Sequence, residues 1–244
     1  MQHFGYRLVN IEGKWSVDIL YDLDRLQGAM PIQTIIDVGA NIGQFCYKIK
    51  HHYPQSIVHS FEPVADAYQQ LLNTTNSFTG VHCKQLALGN QTGKATIHLF
   101  GQNTPVASIL SHSPFSVDFA QQPDHTQVVD VQRLDEYCVN ESVNGIDLLK
   151  IDTEGFDLEV LQGATKLLEE KAIRFIYCEW SYLGTGGPGD LNLIREFLEA
   201  YGFSLLGLYT DFFRPDMNFH VCRNALFLQK ELYLKSFPQP ASSA

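Results

Sequence analysis

From about residue 34 onward, apolar positions fall into two alternating rhythms. Thr34–Val38, Ile57–Phe61 and Ile146–Ile151 are short, β-branched or aliphatic runs, as expected of strands buried on both faces. Residues 81–86 and 173–178 read the same way. Between these runs the period becomes helical. Residues 43–52 predict a helix closed before Pro54, and residues 64–73 one that opens after Pro63. Residues 156–170 place Leu158, Leu161, Ala164, Leu167 and Leu168 on one helical face. Asp190 stands as the N-cap of a helix over 191–200 that stops at Gly202. Strand and helix alternating through short joints predict a parallel sheet covered by helices.

The last two strand-like runs, 203–209 and 225–229, follow each other with no helix between them, so they are expected to pair antiparallel. The predicted fold is therefore α/β: a doubly wound, seven-stranded, mostly parallel sheet with an antiparallel C-terminal strand. Residues 95–100 and 127–134 read as strands of their own, on either side of a Ser/Pro/Gln/His-rich stretch, 101–125, expected to be a substrate-facing loop. Residues 1–33 form an N-terminal extension with one helix near 16–26, which either caps the cofactor or pads the sheet. The main domain is expected over 34–235, followed by a frayed polar tail at 236–244.

Composition narrows the function classes. The chain has 244 residues, 45% apolar and 18% charged, which suits one large packed domain. A formal net charge of −10 without a basic stripe argues against a nucleic-acid binder. The densest basic neighbourhood is only Lys48, Lys50, His51 and His52. Five widely spaced cysteines (Cys46, Cys83, Cys138, Cys178, Cys222) without a C-x-x-C pair fit reduced, buried thiols. No apolar run reaches the ~18 residues of a membrane span, and the first residues lack a signal-peptide core. A cytoplasmic location is expected, with a small-molecule partner and no membrane; a homo-oligomer is compatible with the sequence.

Candidate chemistry collects at predicted strand tips. The first strand ends in Asp37, Val38 and Gly39, and the turn runs on through Asn41 to Gly43. Glycines here let backbone approach a ligand and aim helix N–H groups at it. The spacing is G-x-x-x-G, which argues against a pyrophosphate site; a tight turn without ligand is the plainer alternative. Glu62 ends the second strand 19 residues after Gly43, where a carboxylate can accept both ribose hydroxyls of an adenosyl group. Otherwise it is a helix-capping or solvated acid. Asp152 and Glu154 end the fourth strand, and Glu179 the fifth. Three acids at one sheet edge can orient a hydroxyl, accept its proton or hold a divalent cation, with Asp152 and Glu179 the candidate ligands. Capping of the following helix is the competing reading for Asp152 and Glu154.

The segments Ile36-Asp-Val-Gly-Ala-Asn-Ile-Gly43, Phe61-Glu-Pro63, Leu86-Ala-Leu-Gly89, Leu134-Asp135 and the run from Leu149 to Ala164 (LKIDTEGFDLEVLQGA) together resemble the FkbM-type methyltransferase family over about residues 34–180. That resemblance implies the class I methyltransferase, Rossmann-like fold, S-adenosylmethionine (SAM) as cofactor, and O-methylation of sugars or natural products. It places Gly39, Asn41 and Gly43 at the methionine part, Glu62 at the ribose, Gln85 and Ala87 near adenine, and Asp152 facing the transferred methyl; Asp37 is a further cofactor-binding candidate. Asn41 stands where the broader class often has a middle glycine, and the third strand lacks the acid that often contacts adenine.

A hydroxyl is a weak nucleophile at neutral pH, so Asp152 is expected to act as base or metal ligand, supported by Glu154 and Glu179. His112 and His220 are alternative bases in irregular segments, and Phe212, Phe213, Trp180 and Tyr182 candidate pocket walls. Acceptor specificity is expected in 101–125, 181–189 and 210–223. The rival readings are an N-methyltransferase, a nucleotide-cofactor oxidoreductase and a non-enzymatic SAM-fold binding module.

Overall fold

The computed structural model describes residues 18–100, 106–108, 125–180, 189–214 and 219–236. Helix α1 (Ile19–Leu26) precedes strand β1 (Thr34–Val38), α2 (Gln44–His52), β2 (Ile57–Phe61), α3 (Ala65–Thr75) and β3 (Val81–Lys84). Then come β4 (Ala87–Leu88), β5 (Gly93–Phe100), β6 (Val106–Ser108), β7 (His125–Gln132) and α4 (Leu134–Asn140). The last stretch is β8 (Ile146–Ile151), α5 (Asp157–Gln162), α6 (Thr165–Glu169), β9 (Ile173–Glu179), α7 (Leu191–Ala200), β10 (Phe203–Arg214), β11 (Phe219–Gln229) and α8 (Lys230–Ser236).

The main sheet has seven strands in the order β10-β11-β9-β8-β1-β2-β3. Neighbours from β9 to β3 are parallel, and β11 runs antiparallel to both β9 and β10. The expected doubly wound sheet with its antiparallel closing strand is therefore present. Adjacent residues face opposite sides, so the two cores separate by parity. Ile36, Leu149, Ile176 and Phe227 join residues of α4, α5, α6 and α7 on one face. Ile35, Leu148, Phe175 and Leu226 join α1 and α2 on the other.

Helix α1 packs into this second core through Ile19, Leu20, Leu23 and Leu26. Its Asp18 caps the first turn through Leu20 N–H. The buried Arg174 guanidinium on β9 donates to the carbonyl oxygens of Leu26, Gln27 and Met30, satisfying the end of the helix.

Several elements differ from expectation. The run expected at 81–86 is shorter, since β3 ends at Lys84; just beyond it β4 pairs with β7 in a separate four-stranded sheet of order β4-β7-β5-β6. The expected helix 156–170 breaks into α5 and α6. Gly163 sits at the break with its Cα so near Gly89 that a Cβ would lie 2.1 Å from the Gly89 carbonyl oxygen. The Asp135 carboxylate accepts from the N–H groups of Lys166 and Leu167, restarting the helix as α6. The segment 210–223, expected to be irregular, lies largely in the β10–β11 hairpin, which continues by register pairs such as Phe213 with His220 and absorbs mismatches at bulges. Most of 101–125 and 181–188, the tail, His112 and Tyr182 lie outside the described residues.

Candidate active site

The parallel strands deliver their C-terminal tips to one edge, where open α/β sheets bind ligands. A cavity of ≈ 300 Å³ opens there, with Gly39, Asn41, Glu62, Leu86, Ala87, Asp152 and Glu154 among its lining residues. Val64 and Ile97, both buried in the apolar face of the small sheet, line it too. The apolar face of the small sheet thus forms part of the cavity wall.

The β1–α2 turn is fixed by backbone contacts. Gly39 and Ala40 N–H both donate to the Phe61 carbonyl, at 3.0 and 2.9 Å, and Asp152 N–H donates to Val38 O at 3.1 Å. Gly39 has φ +70°, and a Cβ there would stand 1.9 Å from the Asp152 carbonyl oxygen. Only glycine satisfies both the left-handed backbone and that approach. Glu62 is buried at 6% exposure, its Oε2 accepting from Asn41 N–H at 2.8 Å and its Oε1 from Val64 N–H at 2.9 Å. Burial pushes its carboxyl above the usual glutamate range, and the two N–H bonds and Lys150 oppose that rise.

The acid edge is built differently. Asp152 follows β8, and its side chain is 42% exposed. Glu154 holds φ 52° and Gly155 φ 94°, so the chain turns sharply before α5. Carboxylate oxygens of Asp152, Glu154 and Glu179 lie within 4.8 Å of one another, so the acids predicted to converge do so. Their hard oxygens suit a magnesium- or calcium-like cation.

Three site expectations find other placements. Asp37 is fully buried beneath the turn, outside the cavity lining. Gly43 likewise sits one turn further on, as the residue preceding α2, where it packs against α3. Gln85 is exposed and does not line the cavity, whereas Leu86 and Ala87 beside it do. Trp180, directly after β9, is buried in the core with Ile36, Leu149 and Ile176.

Sequence reasoning assigned no part to two buried groups. Lys150 is the register partner of Asp37. Its ammonium lies 3.2 Å from Asp37 Oδ1 and 3.6 Å from Asp152 Oδ2. Burial works against its charge, but Asp37 and Asp152 prevail and hold its pKa above the ordinary lysine value. Asp157, 1% exposed, accepts from Thr153 Oγ1 at 2.9 Å and bridges the turn between the acids and α5. Burial, aided by the nearby Asp152 charge, pushes its carboxyl up to about 7. The signal for Lys150 was a charge inside each of two central strands, Asp37 in β1 and Lys150 in β8, which demands a partner once their adjacency is known.

Comparison with known proteins agrees with this geometry. The model of the methyltransferase FkbM domain matches residues 37–205. Methyltransferase 1 of Beauveria bassiana (strain ARSEF 2860) is 26% identical over 204 residues, covering 77% of this chain and 78% of that protein. The 31-O-demethyl-FK506 methyltransferase FkbM of Streptomyces tacrolimicus is 25% identical, covering 72% of this chain and 74% of its own. The 2-O-methyltransferase NoeI of Sinorhizobium fredii (strain NBRC 101917 / NGR234) is 24% identical, covering 62% and 64% respectively. With the family model spanning the glycine turn, Glu62 and the acid edge together, the chain belongs to the FkbM methyltransferase family and is a SAM-dependent methyltransferase.

Proposed function

We propose that the protein methylates a hydroxyl oxygen of a sugar or another small natural product. The observation that carries this reading is one cavity lined at one end by Glu62, clamped by two backbone N–H groups, and at the other by Asp152 and Glu154. The O-methyltransferase names of two relatives support the acceptor atom.

The residues present fit SAM. The Glu62 carboxylate faces the cavity with acceptor capacity beyond its two N–H bonds, which suits vicinal ribose hydroxyls. Leu86, Ala87, Ile97 and Phe156 offer an apolar wall for a flat base. Gly39 and Asn41 border the methionine end. When bound, SAM supplies an electrophilic methyl group on a sulfonium cation. The protein's own contribution is alignment and proton management. Asp152, whose Oδ2 lies 3.6 Å from the Lys150 ammonium, accepts the proton of the acceptor hydroxyl, and Glu154 and Glu179 orient that hydroxyl.

A second reading rests on the same three carboxylates: together they hold a divalent cation that acidifies the hydroxyl. Both readings are tested by incubating the protein with methyl-labelled SAM and a panel of hydroxylated sugars and natural products, with and without a chelator. Label in an alkali-stable ether product supports O-methylation, and loss of transfer on chelation selects the cation. Label appearing only in amine acceptors would overturn the hydroxyl assignment.

A further inference from the structure

Behind the acid edge lies a buried cation to which methyl transfer itself gives no direct task. The Lys150 ammonium makes contacts of three kinds: with Asp37 Oδ1 at 3.2 Å, with Asp152 Oδ2 at 3.6 Å, and with backbone at the tip of β1, where it donates to the carbonyl oxygens of Val38 at 3.4 Å and Gly39 at 2.9 Å. Its side chain is 7% exposed, and the Phe45 ring of α2 lies 5.7 Å from the ammonium. Neutralising Asp37 would require only the first contact. The third is to the turn that borders the cavity, at the residue where the backbone is left-handed and has no room to move toward Asp152. The Asp152 backbone blocks that turn on one side, and Lys150 ties it down from beneath.

We propose that Lys150 is a positioning residue for cofactor binding: it clamps the tip of β1 to the tip of β8, so that Gly39 and Asn41 are set for the cofactor before it arrives. A turn held in place in advance loses less freedom on binding, and that saving appears as affinity. The inference rests on the reading of SAM as the cofactor and adds a residue that touches neither substrate.

The test uses S-adenosylhomocysteine, the by-product that lacks the sulfonium, so that binding does not depend on that charge. In the double variant Lys150→Met, Asp37→Asn, the pair becomes neutral at nearly constant shape, and melting should stay within a few degrees of the unaltered protein. Calorimetric Kd for the by-product should nevertheless rise about tenfold or more, the scale of a misplaced binding element. Asp37→Asn alone leaves Lys150 bound to Gly39 and Asp152, and its Kd should stay within about threefold. Unaltered affinity in the double variant, or the full loss in Asp37→Asn alone, overturns the clamp. A measurement on the unaltered chain covers the case in which the double variant fails to fold. The Lys150 ammonium should give a protected nitrogen–proton NMR signal already in the ligand-free chain, and a signal that exchanges freely with water until the by-product is added overturns the proposal. Absence of by-product binding by the unaltered chain removes the cofactor reading together with the clamp. Normal binding with a failed clamp removes the clamp alone.

Discussion

Two strand tips carry carboxylates into the same cavity, and they are built to opposite specifications. At the end of β2, Glu62 is 6% exposed and both of its oxygens accept backbone N–H groups. At the end of β8, the Asp152 side chain is 42% exposed and is faced by an ammonium at 3.6 Å. The first arrangement has one geometry and one protonation state in which its hydrogen bonds are all made. The second leaves an oxygen open to solvent and to a reacting group. A carboxylate that must hold a ligand is fixed from behind, and one that must exchange a proton is left accessible in front.

The sharpest way to break that contrast is Asp152→Asn. It should lower turnover about 10²- to 10⁴-fold, the usual contribution of a positioned base, while SAM affinity stays within a few-fold. Unchanged turnover would end the role of Asp152. Glu62→Ala should show the reverse split. SAM and its by-product should both bind about 10- to 100-fold more weakly, as expected when hydrogen bonds to a charged group are lost, measured by calorimetry. Because burial raises the Glu62 carboxyl, cofactor affinity in the unaltered protein should begin to fall on acidification at a higher pH than an ordinary glutamate would give.

Asp157 sharpens the comparison through stability. Its ordinary value is 3.8 and its folded value about 7, so the folded state binds this proton more tightly than the unfolded chain. The stabilisation is full below the unfolded value and is lost as pH rises through the folded one. Asp157→Asn should therefore raise the melting temperature at pH 8, by on the order of 2–4 kcal/mol of stability, and show almost no gain near pH 4. A gain independent of pH would mean that the buried carboxyl is not the cause. The smallest effect is expected for Gln85→Ala: the side chain is exposed and away from the cavity, so Kd for SAM should not change measurably.

What the sequence made legible follows from how local each determinant is. β1, β2 and β8 have the predicted bounds because a continuous aliphatic run needs no partner to declare itself. The acid trio was legible because each member ends, or closely follows, such a run. The split between α5 and α6 was not, since it depends on Gly163 meeting Gly89 and on Asp135 capping from a distant helix. The transfer of Ala87 and Leu88 to the small sheet depends on β7, more than forty residues away. Asp37 looked like a ligand because it closes the strand before the glycine turn; its burial against Lys150 is a cross-strand register property, which no single segment encodes.

The Arg174 guanidinium also has a bearing on how such a domain can be recombined. Its terminal nitrogens donate to three backbone oxygens at and just after the end of α1. A graft that swapped everything from β1 onward into another host, and left α1 behind, would strand that cation in the interior and uncover Leu148, Phe175 and Leu226. The smallest portable unit therefore begins one helix earlier than the sheet does, and a chimera joined upstream of Asp18 inherits a sealed face.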